Sequence, residues 1–488
     1  MITHIDDLFE DMEKVDIRGE MKKPVTNIAV DSRSVKEGDL FFAIRGYESD
    51  GHRFVDQAIQ NGACAVVVDK EISAKKVPVI RVADSRTALA GAASRLYGRP
   101  SESLKMLGIT GTNGKTTVAF LLESILNACG VKTGLIGTIT YRWPGHEEPA
   151  ERTTPDIIQL NQMLASMKED GVQAVVMEVS SHALYLHRVD GIRFKMAIFT
   201  NLSREHMDFH KDMNEYAQVK SELFRMLVPD GRALINGDDP MAPVMIQAAK
   251  ERAVTYGIRK EEVDYQICDI SYGDDKTKFF IKMKDETYCF STHLLGRFNT
   301  INAAAAAVSG LLLDLDVEKI RNGLLAVKSV DGRMDGFMSD RGYRVIVDYA
   351  HTPDALQHVL KACREFTRNH LILVFGCGGD RDKGKRPQMG ALAESFSDMV
   401  FVTSDNPRTE NPDDIIQDIL TGIQDRDMIY VEPDRQKAIC TALKEAQEGD
   451  TVIIAGKGHE TYQEINHAKR PFDDKKIARA CLKELSGH

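Results

Sequence analysis

The stretch LGITGTNGKTTVAF, residues 107–120, constrains this chain more than any other. An apolar run, LKMLGIT, leads into it, and TTVAFLLESILNACG continues with helical periodicity and stops at a glycine. A buried strand, a glycine-rich turn and a helix together make a phosphate-binding loop. Glycine lets the backbone approach phosphate oxygens, and the first N–H groups of the helix point at the anion along the helix dipole. Lys115 then reaches the outer phosphates and the Thr116 hydroxyl can ligate Mg2+. The spacing is unusual, however. The common pattern asks for a glycine at 109, where Ile109 stands; glycines fall at 108, 111 and 114 instead. A tight strand–helix turn with a surface lysine is the plainer alternative.

Around this loop the chain alternates strands and helices. VTNIAVDSR and DLFFAIRG read as strands, HRFVDQAIQNG as a helix and ACAVVVD as a further strand. YGRPSES, residues 97–103, marks a boundary, and KSVDGRMDGF, residues 328–337, marks a second. QAVVMEVSSH and KMAIFTNLS are buried strands with polar ends, and residues 276–294 alternate like an antiparallel hairpin. Beyond the second boundary come RVIVDYAH, HLILVFGCGGD, MVFVTSDNPR, MIYVEPD and TVIIAGKGHE. These apolar runs, mostly separated by helical segments, imply a parallel sheet. The expected class is α/β in three domains. A smaller N-terminal α/β domain spans 1–99, a central P-loop-type ATPase α/β domain 100–331, and a C-terminal Rossmann-like parallel-sheet domain 332–488. A chain of 488 residues is too long for one core and agrees with such a division.

Charge and cysteine usage exclude some classes. A formal net charge of -10 argues against nucleic-acid binding but leaves room for small anionic substrates held by local basic clusters. The longest apolar run, NAAAAAVSGLLLDL at 302–315, is short of the roughly 20 residues a membrane span needs and reads as a buried helix. No signal peptide is visible at the N-terminus. The eight cysteines are scattered without a C-x-x-C pair, so neither structural zinc nor a disulfide framework is expected, and a reducing cytoplasm fits.

Two further clusters carry chemistry. Glu178 ends a strand, where a carboxylate can hold Mg2+ in nucleotide enzymes, and FTNLSREHMDFH adds His206, Asp208 and His210 after the next strand. For His210 a satisfied loop histidine is the reading. In the last third, loops emerging on one edge of a parallel sheet collect Arg381, Asn406, Arg408, the 456–458 glycines and Glu460. Two arginines, an amide and a carboxylate suit a zwitterionic ligand, because the planar guanidinium fork pairs with carboxylates. A nucleotide loop and an amino-acid pocket in one chain suggest a ligase that activates a carboxylate.

With these segments quoted, TGTNGKTT, MEVSSHAL, TNLSREHMD, YAQVKSELF, LLGRFNTINAAAA, VDYAHTPDAL, GCGGDRDKGKRP, SDNPRTENP and AGKGHETYQ together resemble the Mur ligases of bacterial cell-wall synthesis. The likeness runs from about Asp31 to Asp474 with the motifs in order. It implies ATP and Mg2+ as cofactors, UDP-N-acetylmuramoyl-L-alanyl-D-glutamate and meso-diaminopimelate as partners, and a monomeric protein. It implies ATP contacts from Gly111, Thr112, Asn113, Gly114, Lys115, Thr116 and Thr117, with Asn299, Arg333 and Asp348 on the nucleotide as well. It implies UDP-substrate contacts from Ser32, more loosely Tyr47, Glu48 and Ser49, and then Thr153, Thr154, Ser180 and Arg188. The diaminopimelate pocket would be Arg381, Asp405, Asn406, Pro407, Arg408, Gly456 and Glu460. Lys115, Glu178, His206 and Lys220 are the implied catalytic residues, and Thr116, Glu178, His206 and Lys220 the implied metal ligands. From the residues alone Lys220 is a solvated helix lysine; the resemblance makes it N6-carboxylysine, a carbamate.

Arg152 stands where many relatives have asparagine, which puts one amide contact to the dipeptide in doubt. Diaminopimelate differs from lysine by a second carboxylate, and Arg408 is the cation expected to meet it. Three alternatives remain open here: the same reaction with L-lysine, a folylpolyglutamate synthase-like ligase, and a P-loop NTPase switch. The absence of a guanine-reading Asn-Lys-x-Asp segment speaks against the last.

Overall fold

The computed structural model describes residues 3–10, 14–20, 23–46, 49–73, 75–205, 209–260, 262–273, 276–284, 286–332 and 334–485. Tyr47, Glu48, His206, Asp208 and Arg333, singled out above, lie outside the described residues. The chain divides into two compact units. One comprises Met1–Lys115, Leu126–Tyr256 and Ser309–Leu315, the other Thr116–Ile125, Gly257–Val308 and Asp316–His488.

In the first unit, residues 14–82 contribute a five-stranded sheet in the spatial order 14–18, 79–82, 65–68, 39–42, 27–29. All neighbours are parallel except the edge strand Lys14–Arg18. The run Ala65–Val68 is buried throughout, as an unbroken β-branched segment must be when both faces of a parallel strand are covered. Helix Ser85–Leu96 packs on this sheet, its N-terminus closed by Asp84, which accepts from the Thr87 amide at 2.8 Å.

The same unit carries strands in the order 146–149, 140–143, 133–136, 174–178, 105–110, 194–199, 227–236, 253–257. Apart from the antiparallel ribbon 140–149 at one edge, these strands run parallel. Strand Lys105–Thr110 sits between Ala174–Glu178 and Phe194–Phe199, with Ile109 beside Glu178 and Thr110 beside Phe199. The loop after Thr110 therefore leaves the sheet flanked by the ends of both neighbours. The unusual glycine spacing has a packing explanation. Ile109 is fully buried in the strand, worth about 1.5–3 kcal/mol against exposure. Gly108 is held small by Phe194, since a Cβ there would come within 2.8 Å of the ring. Only Gly111 and Gly114, with φ of 146° and 87°, serve the turn itself.

The second unit contains the meander Tyr265–Tyr272, Thr277–Met283 and Glu286–Thr292, whose last two strands are the hairpin read from the sequence. Helix Arg297–Leu312, which belongs to this unit as far as Val308, holds the alanine run, and Ala303–Val308 are fully buried. A six-stranded sheet follows in the order 335–338, 344–348, 451–455, 371–375, 399–402, 429–431. The five expected strands are parallel, and Asp335–Met338 adds an antiparallel edge. Helices Pro353–Arg364, Lys385–Phe396 and Pro412–Leu420 cover one face, and Arg435–Glu445 and Asp474–Leu485 the other. Because Thr451–Ala455 inserts between the first and second parallel strands, the order reverses there. A crevice for a ligand is expected outside the carboxyl ends at such a point.

No helix among the described residues is long and apolar enough to cross a membrane. One cysteine expectation is corrected: Cys440 and Cys481 are joined by a disulfide. Their helices, Arg435–Glu445 and Asp474–Leu485, pack together and bring the two Cα atoms to 5.5 Å, a closeness that a sequence separation of 41 does not reveal. The other six cysteines are free.

Candidate functional site

Backbone groups build the nucleotide loop, and the neighbouring strand end braces it. The Thr112 amide donates to the Asn201 carbonyl at 2.8 Å, and the Asn113 amide to Asn201 Oδ1 at 3.0 Å. Thr200 Oγ1 donates to the Asn113 carbonyl at 2.6 Å, and the Ser203 amide to Thr112 Oγ1 at 3.0 Å. Gly111 cannot be replaced without disturbing this brace, because a Cβ there would fall 2.0 Å from Thr200 Oγ1. Lys115 folds back over the loop, its Nζ donating to the carbonyls of Gly111 at 2.9 Å and Thr112 at 2.8 Å. The ammonium is thus stored at the turn where an anion would sit. Thr116 and Thr117 are buried in the first turn of the helix beginning at Lys115.

Lys220 corrects the reading from residues alone. It is not solvated: its side chain is 1% exposed, on the inward face of helix Met213–Arg225. Its Nζ donates to the Gly111 carbonyl at 2.9 Å and lies 4.6 Å from the centre of the Tyr216 ring. Burial, and then the nearby Lys115 charge, push its pKa well below the ordinary lysine value. Burial likewise raises the Tyr216 phenol to about 12. His210 is buried in its loop with its Nε2 3.0 Å from Ser181 Oγ, so the expected satisfied histidine is met at one ring nitrogen and not at Nδ1.

Glu178 is fully buried at its strand end. Thr138 reads both oxygens, its amide at 2.9 Å and its hydroxyl at 3.0 Å. Gly137 must stay small, because a Cβ would approach Glu178 Oε1 to 2.5 Å. Around this carboxylate gather the residues expected on the muramyl dipeptide. Thr153 Oγ1 lies 3.1 Å from Thr138 Oγ1, and Thr154 Oγ1 donates to the Glu178 carbonyl at 2.8 Å. The Ser180 amide donates to Thr154 Oγ1, and Arg188 Nη1 to the Thr154 carbonyl at 3.4 Å. Burial, reinforced by the charge of Arg152, lowers the Arg188 pKa. Ser32 is apart from this group, buried on the small sheet with its hydroxyl donating to Gln57 at 2.9 Å; Ser49 is exposed.

A carboxylate and a hydroxyl are the hard oxygen donors that Mg2+ takes. Glu178 and Thr116 fit that chemistry. Among the described residues no group of three or more His, Cys, Asp or Glu surrounds a common point, so these side chains do not by themselves complete a cage.

In the second unit, the sheet edge collects the three loops as the sequence implied. The Gly379 amide donates to the Asn406 carbonyl at 2.9 Å. Asn406 Nδ2 donates to Glu460 Oε2 at 2.9 Å, and the Glu464 amide to Asn406 Oδ1 at 2.9 Å. Asp405 and Pro407 are buried beside them, and a Cβ on Gly456 would come within 2.9 Å of Asp405 Oδ2. Arg408 has a left-handed backbone, φ 51°, a conformation that a non-glycine residue holds only when its surroundings enforce it. Its Nε pairs with Glu464 at 3.1 Å and its Nη1 donates to the Gly379 carbonyl at 2.7 Å. A carboxylate thus already engages the guanidinium. Arg381 is exposed, donating to the Asp380 carbonyl at 3.2 Å, and sits at the rim rather than within the cluster.

Four residues that sequence reasoning passed over hold these loops. Arg386, with a fully buried side chain, bridges Glu410, Asp418 and the Gly378 carbonyl. Hydrogen bonds from Arg386 hold the Glu410 carboxyl down at about 2. Arg435 pairs with Asp474, both 0% exposed, and donates to the carbonyls of Ala455 at 2.9 Å and Ser404 at 3.5 Å. Lys457 is the fourth. Of the remaining residues expected on the nucleotide, Asn299 is buried with Nδ2 donating to the Leu295 carbonyl at 2.9 Å. Asp348 accepts from the amides of Met334 at 2.7 Å and Ala350 at 2.8 Å, which pins the start of the domain's first parallel connection.

Three family models match in succession. They are the Mur ligase family catalytic domain over residues 24–97, the Mur ligase middle domain over 109–310, and the Mur ligase glutamate ligase domain over 332–458. A UDP-N-acetylmuramoyl-L-alanyl-D-glutamate–2,6-diaminopimelate ligase of Aquifex aeolicus is 45% identical over 460 residues, 94% of each chain. The ligase of the same name from Gloeobacter violaceus is 46% identical over 461 residues, again 94% of each. A solved structure bearing that ligase's name superposes with a TM-score of 0.76 at 32% identity over 100% of both chains. Matched along nearly its whole length, the chain belongs to the Mur ligase family.

Proposed function

We propose that this protein adds meso-2,6-diaminopimelate to the D-glutamyl γ-carboxylate of UDP-N-acetylmuramoyl-L-alanyl-D-glutamate, consuming ATP. The observation that carries the acceptor is Arg408, a guanidinium held in a strained backbone position among Asn406, Glu460 and Glu464. An acceptor with a carboxylate at its far end can take the place of Glu464 on that guanidinium. L-Lysine would bring an ammonium to it instead, at a cost of several kcal/mol. The full-length likeness to ligases named for diaminopimelate supports the same choice.

A free carboxylate is a poor acylating agent, and phosphorylation supplies the leaving group. The γ-carboxylate attacks the terminal phosphorus of ATP, and an acyl phosphate and ADP result. The neutral amine of diaminopimelate attacks the acyl carbon. The tetrahedral intermediate expels inorganic phosphate, and the amine proton passes to solvent. The loop at 111–117 offers N–H groups to the phosphates, and Lys115 exchanges its two carbonyl partners for phosphoryl oxygens, where its charge offsets the developing negative charge. Thr153, Thr154, Ser180 and Arg188 orient the dipeptide beside Glu178. Mg2+, which takes hard oxygen donors such as the Glu178 carboxylate, would supply further neutralisation of the phosphates. Such a reaction uses UDP-sugars and ATP, both cytoplasmic.

We further infer that Lys220 carries a carbamate. Burial favours the neutral amine of Lys220, and only that form adds CO2. An intact mass without the CO2 increment in bicarbonate buffer overturns this modification.

The deciding assay is ADP release with UDP-muramyl-dipeptide and either diaminopimelate, L-lysine or no acceptor. Release dependent on diaminopimelate, and lost in Arg408→Ala, is expected. Equal release with lysine overturns the acceptor assignment; release without any acceptor or dipeptide points to a plain nucleotidase.

A further inference from the structure

Lys457 lies between two glycines in the loop after strand Thr451–Ala455. Gly456 and Gly458 both have positive φ, 118° and 53°, and a Cβ on Gly458 would come within 2.7 Å of Tyr349 Cβ. Backbone this tight turns the lysine inward. Its side chain is 0% exposed, and its Nζ lies 2.8 Å from Asn406 Oδ1, 3.3 Å from Glu460 Oε2 and 3.4 Å from Asp405 Oδ1. An ammonium has three protons, and here it meets three oxygen acceptors. All three belong to the pocket assigned above to the acceptor amino acid.

The arrangement also fixes the Asn406 amide. Its oxygen faces two donors, Lys457 Nζ and the Glu464 amide, while its nitrogen donates to Glu460. A flipped amide would set N–H against N–H on one side and oxygen against carboxylate on the other. Without the lysine, Asp405 and Glu460 would lose the cation lying between them and repel. Burying an ammonium is costly unless it is well paired. The partners of this one are pocket groups, whereas Arg386 pairs with Glu410 and Asp418 and Arg435 with Asp474, and both add loop carbonyls.

We propose that Lys457 is a positioning residue that sets the geometry and charge balance of Asp405, Asn406 and Glu460 for the incoming amino acid. The proposal rests on reading this pocket as the diaminopimelate site. The test uses the full-length enzyme as wild type, Lys457→Met and Lys457→Gln, with initial rates of ADP release measured while each of diaminopimelate, ATP and UDP-muramyl-dipeptide is varied. Thermal melts are recorded in parallel. For Lys457→Met the KM for diaminopimelate is expected to rise about tenfold or more, the loss of a charged hydrogen bond, with the KM values for the other two substrates within about twofold. Lys457→Gln keeps one donor toward Asn406 and should fall between. Unchanged diaminopimelate KM in a folded variant overturns the proposal, as does a uniform change in all three KM values, which marks a purely structural lysine. If Lys457→Met does not fold, Lys457→Gln decides by the same criteria. A wild type indifferent to diaminopimelate overturns the pocket reading itself, a different outcome from a wild type that uses it while the variants match.

Discussion

The nucleotide loop and the amino-acid pocket are built on the same plan, loops leaving the carboxyl edge of a parallel sheet, yet they are held by different forces. At 111–114 most of the fixing contacts come from backbone amides and carbonyls, with short side chains of the next strand's end as braces and Lys115 and Lys220 Nζ on the Gly111 carbonyl. At 376–384, 403–411 and 456–461 the fixing contacts come from buried charges: Arg386, Arg435 with Asp474, and Lys457. A phosphate presents the same oxygens in every nucleotide, so a generic backbone cradle suffices. An amino acid must be told from its analogues, and that calls for charged groups placed one by one.

The comparison breaks most readily at Arg435. Removing it leaves Asp474 charged and fully buried, so Arg435→Met should cost about 3–5 kcal/mol of stability. The loss should be confined to the C-terminal sheet, read as faster amide exchange at Ser404 and Ala455 with the 111–117 loop unchanged. Uniform exchange across both regions would mean that the ion pair supports the whole chain rather than the pocket.

Lys115→Ala tests the other side. Its ammonium donates to the Gly111 and Thr112 carbonyls of its own loop, so only a modest loss of stability is expected. The rate should fall about 100- to 1,000-fold, the usual cost of losing one group that stabilises transition-state charge. A large drop in melting temperature with modest loss of rate would show that the lysine holds the loop rather than serves the phosphates.

This difference in construction also governs what the sequence discloses. Backbone cradles advertise themselves through glycines and the strand and helix around them, so 107–120 was legible despite its odd spacing. The five apolar runs of the last third became five parallel strands for a similar reason: β-branched continuity is local information. The antiparallel additions, 140–149, 335–338 and 462–471, were missed because strands of four residues are too short to show a period. Arg386, Arg435 and Asp474 were passed over, since each finds its partner 24 to 39 residues away. Lys220 could have been found: it lies four residues after Tyr216 and four before Phe224, on the buried stripe of its helix. A helix-face count would have flagged a lysine among apolar neighbours, where the assumption that lysines are solvated did not.

The smallest expected effect follows from acid. Arg386 holds the Glu410 carboxyl at about 2, below its ordinary 4.5, so the folded chain binds that proton less readily than the unfolded one. The stabilisation is therefore fully present above 4.5 and is lost as pH falls through about 2. Glu410→Gln should be less stable than wild type at pH 6, by on the order of 1 kcal/mol for a partly exposed charged pair. The gap between the two melting temperatures should close steadily as the pH is lowered from 4.5 toward 2, since protonation makes the wild-type group neutral as well. The nucleotide loop has no such dependence in its backbone bonds, so exchange at Thr112 and Asn113 should not distinguish the two proteins at any pH. A gap that stays constant on acidification would show that the Glu410 contribution is one of shape and packing, and that the pocket is less electrostatic in its construction than its buried charges indicate.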